Sequence, residues 1–154
     1  MDIKMVDSQD EKKAVCKSIL CSLPDWFGIP EAIDEYVKKS SQMPFWALYD
    51  GNNAIGFIAV KKTSDTAAEI YVMGILEAYH RKGYGRRLFS LCYEWCKDNG
   101  LSFLQVKTLD KSHPDMHYEN ARKFYQAMGF KELECIPEIW GKECPCLIMI
   151  MSIR

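Results

Sequence analysis

What this chain lacks narrows its function first. No apolar run approaches the roughly 18 residues that a membrane-spanning helix needs. The opening "MDIKMVDSQDEKKAV" has no apolar core of the kind a secretory signal carries. Neither sign of charge is in excess: 20 Lys and Arg against 21 Asp and Glu leave a net charge of −1. No global field therefore draws the protein to nucleic acid or to an anionic membrane, and any basic site must be local. The seven cysteines (Cys16, Cys21, Cys92, Cys96, Cys135, Cys144 and Cys146) are an odd number without a secretion signal. That argues against a disulfide framework and for buried thiols. The expected location is cytoplasmic.

Metal motifs are missing too. "SHPDMHYE" carries His113, Asp115 and His117 without the H-E-x-x-H order, and reads as ordinary loop polarity. Cys144-Pro145-Cys146 is C-x-C rather than C-x-x-C, so apolar packing is the expected role and no metal is expected. No repeat, low-complexity tract or linker appears. With 48% hydrophobic and 27% charged residues, the 154 residues are expected to form one domain, 1–154, with its own core.

Patterning supplies the elements. Residues 3–6 suit a short strand. "SQDEKKAVCKSILCSL" reads as a helix with Ser8 as N-cap and Glu11 completing a capping box. Ala14, Ile19 and Leu23 are expected in its buried stripe, and Pro24 ends it. "PEAIDEYVKKS" is a second helix with Pro30 in its first turn. "FWALYD" and "AIGFIAVKK" flank Asp50-Gly51 as a hairpin. "EIYVMGIL" is a third strand, apolar enough for burial on both faces. Leu88, Leu91, Cys92, Trp95 and Cys96 recur at helical spacing until Gly100. "LSFLQVKTL" is a strand, "HYENARKFYQAMGF" a helix closed by Gly129, and "ECPCLIMIMSI" a last strand. This order is a mixed α/β domain.

Between the third strand and its following helix lies "HRKGYGRRL". Gly83 and Gly85 allow a tight turn that brings several N–H groups toward one oxygen cluster. The helix start adds partial positive charge, and Arg86 and Arg87 add cations that fork onto phosphate oxygens. A branched side chain at Gly85 would block that approach and resist a positive φ. G-x-x-x-x-G-K-[ST] is absent, and Leu88 stands where G-x-G-x-x-G needs its third glycine. Nucleoside triphosphate loops and dinucleotide folds are thereby set aside.

Two motifs together resemble the GNAT superfamily of acetyl-CoA-dependent N-acetyltransferases. One is His80-Arg81-Lys82-Gly83-Tyr84-Gly85, after a central strand. The other is Phe124-Tyr125-Gln126-Ala127-Met128-Gly129-Phe130. The resemblance covers about residues 44–135. His80 replaces the family's usual Gln or Arg. Tyr118 replaces an asparagine common seven residues before the tyrosine, with Asn120 two residues further on.

The resemblance implies a GNAT-like fold, a mixed and largely antiparallel sheet flanked by helices. It also implies acetyl-CoA as co-substrate, with no metal. The backbone of Met73, Gly74 and Ile75 would pair with pantetheine and polarise the thioester carbonyl, with Gly74 suited to close backbone approach. Arg81, Lys82, Gly83, Tyr84, Gly85 and Arg86 would hold the pyrophosphate. Tyr118 and Asn120 are further cofactor-side candidates. Tyr125 would protonate the departing thiolate, a role suited to a phenol with a pKa of about 10 facing a thiol of about 8.5. Glu69 resembles the glutamate base of the histone acetyltransferase members, although a solvated strand start is the competing reading.

The expected reaction is acetyl transfer to a primary amine of a small molecule or peptide, by direct attack in a ternary complex. No cysteine sits in an activated context that would suit a covalent acetyl-enzyme. Trp26, Phe27 and Trp46 are core or cleft residues. Glu31, Asp34 and Glu35 read as a solvated face rather than a trap for a cationic acceptor. The rival readings are a coenzyme A-binding sensor without turnover, and a nucleic-acid-associated protein using residues 81–87. The net charge and the single short basic stretch oppose the second rival. The expected partners are the amine acceptor and, as an allowed assembly, a second copy of the chain.

Overall fold

A computed structural model describes residues 1–154 and shows four helices and a seven-stranded sheet, whose strands lie in the order β1 (Asp2–Met5), β2 (Phe45–Asp50), β3 (Asn53–Lys62), β4 (Ala67–Ile75), β5 (Phe103–Leu109), β7 (Cys146–Ser152), β6 (Lys131–Ile136). The chain forms two compact units, Met1–Lys61 with Ile70–Trp95, and Lys62–Glu69 with Cys96–Arg154. No helix is long and apolar enough to cross a membrane.

In the first unit, β1 (Asp2–Met5) pairs antiparallel with β2 (Phe45–Asp50), and β2 pairs antiparallel with β3 (Asn53–Lys62). The expected hairpin closes with Asp50 opposite Asn53, and Gly51 takes φ 60° in the turn. Helix α1 (Gln9–Cys21) starts at the expected cap, where the Ser8 hydroxyl accepts from the Glu11 amide at 3.2 Å, but the box does not close: the Glu11 carboxylate accepts from the Tyr49 hydroxyl and pairs with Lys4 at 3.1 Å instead. Helix α2 (Pro30–Ser40) follows.

The core of this unit gathers Val15, Cys16, Ile19 and Leu20 of α1 around Phe45 and Phe57, whose rings stack 5.1 Å apart. Ala14, expected in the buried stripe, is exposed. Val15 and Cys16 take the inward positions instead, which with Ile19 and Leu20 gives an i, i+1, i+4, i+5 stripe. Trp46 is buried, while Trp26 and Phe27 are half-buried against the same core.

Strand β4 (Ala67–Ile75) begins in the second unit and ends in the first. Ala68, Ile70, Val72 and Gly74 are buried; Tyr71, Met73 and Ile75 are less so. Gly74 has a definite packing reason to be glycine. A Cβ there would lie 3.2 Å from side-chain carbons of both Ile19 and Leu23. The close approach expected at Gly74 is therefore made by α1 and the turn after it. Helix α3 (Tyr84–Asp98) buries Leu88, Cys92 and Cys96 at i, i+4 and i+8. Leu91, expected on that face, is 38% exposed, and Phe89 is buried in its place.

In the second unit, β7 (Cys146–Ser152) lies between β5 (Phe103–Leu109) and β6 (Lys131–Ile136), antiparallel to both. Sequence patterning did not single out β6 as a strand: in "KELECI" only Leu133 and Cys135 alternate with the glutamates, too short a run to stand out, and both are exposed in the structure. It is an exposed edge strand held by backbone pairing, with a register shift between Glu132 and Glu134. Helix α4 (Met116–Met128) is closed at both ends: Asp115 accepts from the His117 and Tyr118 amides, and Gly129 takes φ 112°. Asp115 is thus a cap, consistent with the non-metal reading of "SHPDMHYE". Buried Arg122 donates from Nη1 to the Leu109 carbonyl at 2.6 Å, tying α4 to the end of β5.

Gly74→Val tests the seat of α1. Overpacking a filled site costs about 1–3 kcal/mol, so the variant should show that loss in urea denaturation. Unchanged stability would mean that α1 does not depend on the missing side chain.

Candidate active site

The first unit holds the end of β4 and the glycine loop. After Ile75 the chain makes one short turn at Glu77–Tyr79 and reaches His80. The His80 ring turns back, and Nε2 lies 2.6 Å from the Ile75 carbonyl oxygen, where an N–H must donate. The same ring meets Trp26 edge to face at 5.5 Å. His80 is therefore a strut on the end of β4, and it occupies the Ile75 carbonyl, one of the backbone groups expected for pantetheine. Nothing in the local sequence signals this contact except the unusual histidine itself.

Loop geometry supports an anion cradle and corrects one detail. Gly83 takes φ 84° and Arg81, with a Cβ, takes φ 62°. Gly85 is not among the residues with positive φ; it lies in the first turn of α3. The left-handed turn thus depends on Gly83, where nothing lies within 4 Å of a would-be Cβ. Holding Arg81 there costs about 1–2 kcal/mol, which the surrounding fold must offset.

Helix starts normally carry acids. The first turn of α3 has none, and Arg86 and Arg87 stand there exposed. Lys82 and Arg81 are exposed beside them. Four cations at a partially positive helix end repel one another, and an anionic ligand relieves that repulsion.

Glu69, Tyr118, Asn120 and Tyr125 belong to the second unit. Glu69 is not a solvated strand start: it is 6% exposed, and its Oε1 lies 3.3 Å from the Lys107 ammonium of β5. Sequence reasoning missed Lys107, a charged residue alternating with the buried Val106 and Thr108; its partner depends on strand pairing.

Tyr125 is half-buried, with its ring 5.5 Å from Phe124 and 5.7 Å from Phe130, both edge to face. Tyr118 lies seven residues earlier, about two helical turns, and so shares the Tyr125 face of α4. Asn120 is exposed and turned about 140° away from Tyr125 around the helix, so α4 groups Tyr118 but not Asn120 with Tyr125.

Three of the seven thiols, Cys16, Cys135 and Cys146, are shifted toward their protonated form. Burial pushes the Cys16 thiol up to about 11, and burial, with Glu69 and Cys135 adding to it, takes Cys146 to about 11 despite Lys107. Cys135 is raised by desolvation and by Asp110 and Glu138. Exposed Glu31, Asp34 and Glu35 form a solvated face of α2, with Glu35 paired to Lys39 at 2.6 Å.

The acetyltransferase (GNAT) family model matches residues 13–130, and this decides the family. The chain belongs to the GNAT acetyltransferase family. A mycothiol acetyltransferase of Corynebacterium efficiens is 52% identical over 44 residues, covering 29% of this chain and 15% of that protein. The uncharacterized N-acetyltransferase YsnE of Bacillus subtilis is 25% identical over 96 residues, covering 62% of this chain and 61% of that one. The matches thus span less than two thirds of either relative. The structure of an aminoglycoside 6'-N-acetyltransferase complexed with coenzyme A superposes with a TM-score of 0.80 at 18% identity, covering 100% of this chain and 98% of that one. This GNAT fold is the mixed, largely antiparallel architecture expected from sequence.

The two loop glycines should respond differently to substitution. Gly83→Ala puts a Cβ on a left-handed backbone and should cost about 1–2 kcal/mol, read by chemical denaturation of the unliganded protein. Gly85→Ala, in helical backbone, should carry no such penalty. Equal losses at both positions would show that the positive φ is not what the loop needs.

Proposed function

We propose that this GNAT protein transfers an acetyl group from acetyl-CoA to a primary amine. The carrying observation is the start of α3: four exposed cations, no acid in the first turn, and a left-handed turn at Arg81 and Gly83. That arrangement fits a pyrophosphate held by the loop from Arg81 to Arg86, with the backbone of Met73 and Gly74 and the N–H of Ile75, whose carbonyl His80 already takes, serving the pantetheine and thioester end. A coenzyme A complex in a structure of the same fold supports the choice of ligand.

In this reading the chain acts as one domain in the cytosol, and the amine attacks the thioester directly. The raised thiols of Cys16, Cys135 and Cys146 favour direct attack over an acetyl-cysteine intermediate. Glu69, in its anionic form, accepts the proton that the acceptor ammonium must lose, and Lys107 balances its charge. The amine nitrogen forms a bond to the acetyl carbon as the carbon–sulfur bond breaks. Tyr125 donates its phenolic proton to the departing thiolate, with Tyr118 two turns away on the same face of α4. The half-buried Trp26 and Phe27, between α1 and α2, are candidates for holding the acceptor.

A coenzyme A sensor without turnover is the second reading. The ion pair on Glu69 favours it, since a lysine already occupies the carboxylate that a base would use.

Ligand stabilisation tests the cofactor. At about 100 times its dissociation constant a ligand adds about 2.7 kcal/mol, so acetyl-CoA should raise the melting temperature while ATP and NAD do little. A larger shift with ATP or NAD would refute the proposal.

Tyr125→Phe separates enzyme from sensor. It removes one oxygen and keeps the ring contacts to Phe124 and Phe130. A transition-state proton donor contributes about 10²- to 10⁴-fold. Single-turnover acetylation, measured on whichever amine of a panel releases thiol fastest, should therefore fall by at least about 10². Acetyl-CoA affinity should change far less. Wild-type single-turnover rates would make Tyr125 a packing residue, and no thiol release on any amine would favour the sensor.

A further inference from the structure

Strand β5 carries a lysine in the interior of the sheet, where lysine is a poor strand former. β5 lies between β4 and β7, and Lys107 stands on it between buried Val106 and Thr108. Its side chain is 33% exposed, and its ammonium lies 3.3 Å from Oε1 of Glu69, whose side chain is 7% exposed. Other lysines paired with acids differ. Lys4, Lys39, Lys111 and Lys123 meet carboxylates that are each 35% or more exposed. Buried Lys12 gives its ammonium to the Met43 carbonyl at 2.7 Å, and an amide oxygen takes no proton from it. Of these lysines, only Lys107 joins an amine that solvent reaches to a carboxylate that the fold encloses.

That pair has the parts of an acceptor site. Under the proposed function a substrate ammonium gives its proton to Glu69, and Lys107 already presents an ammonium to that carboxylate. A lysine side chain is a primary amine and, once deprotonated, a nucleophile. Because it belongs to the chain, it is held beside the base with no loss of translational freedom, an advantage over a free amine. The Cys146 thiol feels both charges but does not compete: burial leads in raising it to about 11, with Lys107 opposing and Cys135 and Glu69 adding. Tyr125, the proposed donor to the thiolate, belongs to the same unit as the pair.

We propose that Lys107 is itself an acceptor: the chain acetylates this lysine in cis from bound acetyl-CoA. The inference rests on the acetyl-CoA reading and names one substrate amine for it, an internal one. Glu69 takes a proton from the Lys107 ammonium. The freed Nζ forms a bond to the acetyl carbon as the carbon–sulfur bond breaks. Tyr125 protonates the departing thiolate and regains a proton from the new amide nitrogen, which sheds one more. Acetyl-lysine and the free thiol of coenzyme A result, and Glu69 passes its proton to solvent. Acetylation removes the charge on Lys107. Glu69 is then left without its cation, which a buried carboxylate resists, so the ammonium of an external amine takes the vacated place. The ion pair that favours a sensor is thereby undone by the first turnover.

Mass spectrometry of the whole chain, incubated with acetyl-CoA and no added amine, tests this. One acetyl group per chain should appear. A tryptic digest should place it in a peptide spanning 98–111 that stays uncut at Lys107. The rate should not change with protein concentration. Lys107→Arg keeps a cation for Glu69 and should lose this modification. Glu69→Gln, verified as folded by a thermal melt, should slow it by at least about 10²-fold, the low end for a lost proton acceptor. Heat-denatured protein shows which lysines acetyl-CoA modifies without a fold, and the same pattern in the native chain would overturn the proposal. A rate that rises with protein concentration, marking transfer between copies, would also overturn it, as would an unchanged rate in Glu69→Gln. A thermal shift with acetyl-CoA but no gain in mass would overturn self-acetylation and leave the acetyl-CoA reading intact. Neither shift nor gain in mass would overturn both together.

Discussion

Helix α1 rests on a strand position that has no side chain. Ile19 and Leu23 approach Gly74 so closely that a Cβ would be crowded by both, and this contact holds the end of β4 against a core of Phe45 and Phe57. Whatever follows β4 inherits that rigidity. The Ile75 carbonyl is taken up by His80, so the chain leaves the strand in one direction. Only with that exit anchored can Arg81 be held at φ 62°, a conformation a side-chain-bearing residue avoids unless its surroundings impose it.

Electrostatics in the two units follow opposite rules. In the first, cations accumulate at the start of α3 with no acid in the first turn, an arrangement that costs stability unless an anion arrives. In the second, Glu69 is buried and balanced by Lys107. A buried carboxylate without its partner would leave an uncompensated charge, which is far costlier than losing a surface pair. Unpaired positive charge on a surface reads as a binding function, whereas a balanced buried pair is compatible with structure as well as with catalysis. For that reason Glu69 carries a weaker functional argument than the loop does.

Helix α4 shows how local signals can set a site residue without reaching it. Asp115 caps one end and Gly129 the other, and Arg122 fastens the middle to Leu109. These contacts fix the rotation of the helix, and with it the face that carries Tyr118 and Tyr125. A slip of one residue would turn the Tyr125 hydroxyl by about 100°.

Local chemistry was legible in the sequence wherever neighbours along the chain supply the partner. The Ser8 cap, the Asp50-Gly51 turn, the Gly129 helix stop and the cationic glycine loop all involve residues within a few positions of one another, so composition and spacing determine them. The edge strand β6 was not legible, because backbone pairing with β7 stabilises it and the alternation of Leu133 and Cys135 with glutamates is too short to stand out. Ala14 and Leu91 were misplaced because helical periodicity fixes a stripe but not its rotation toward the core. Gly83 rather than Gly85 bears the left-handed turn, a choice made by backbone geometry that two near-identical glycines cannot advertise. The partners of Glu69, His80 and Tyr79 are Lys107, Ile75 and Asp50. Two of these three contacts join residues far apart in sequence, and the third needs a turn that brings a ring back onto its own strand. Sequence alone determined which residue types stand beside the loop and on the helix; tertiary structure decided which of them are paired, strained or buried, because those properties depend on what the folded chain places opposite them.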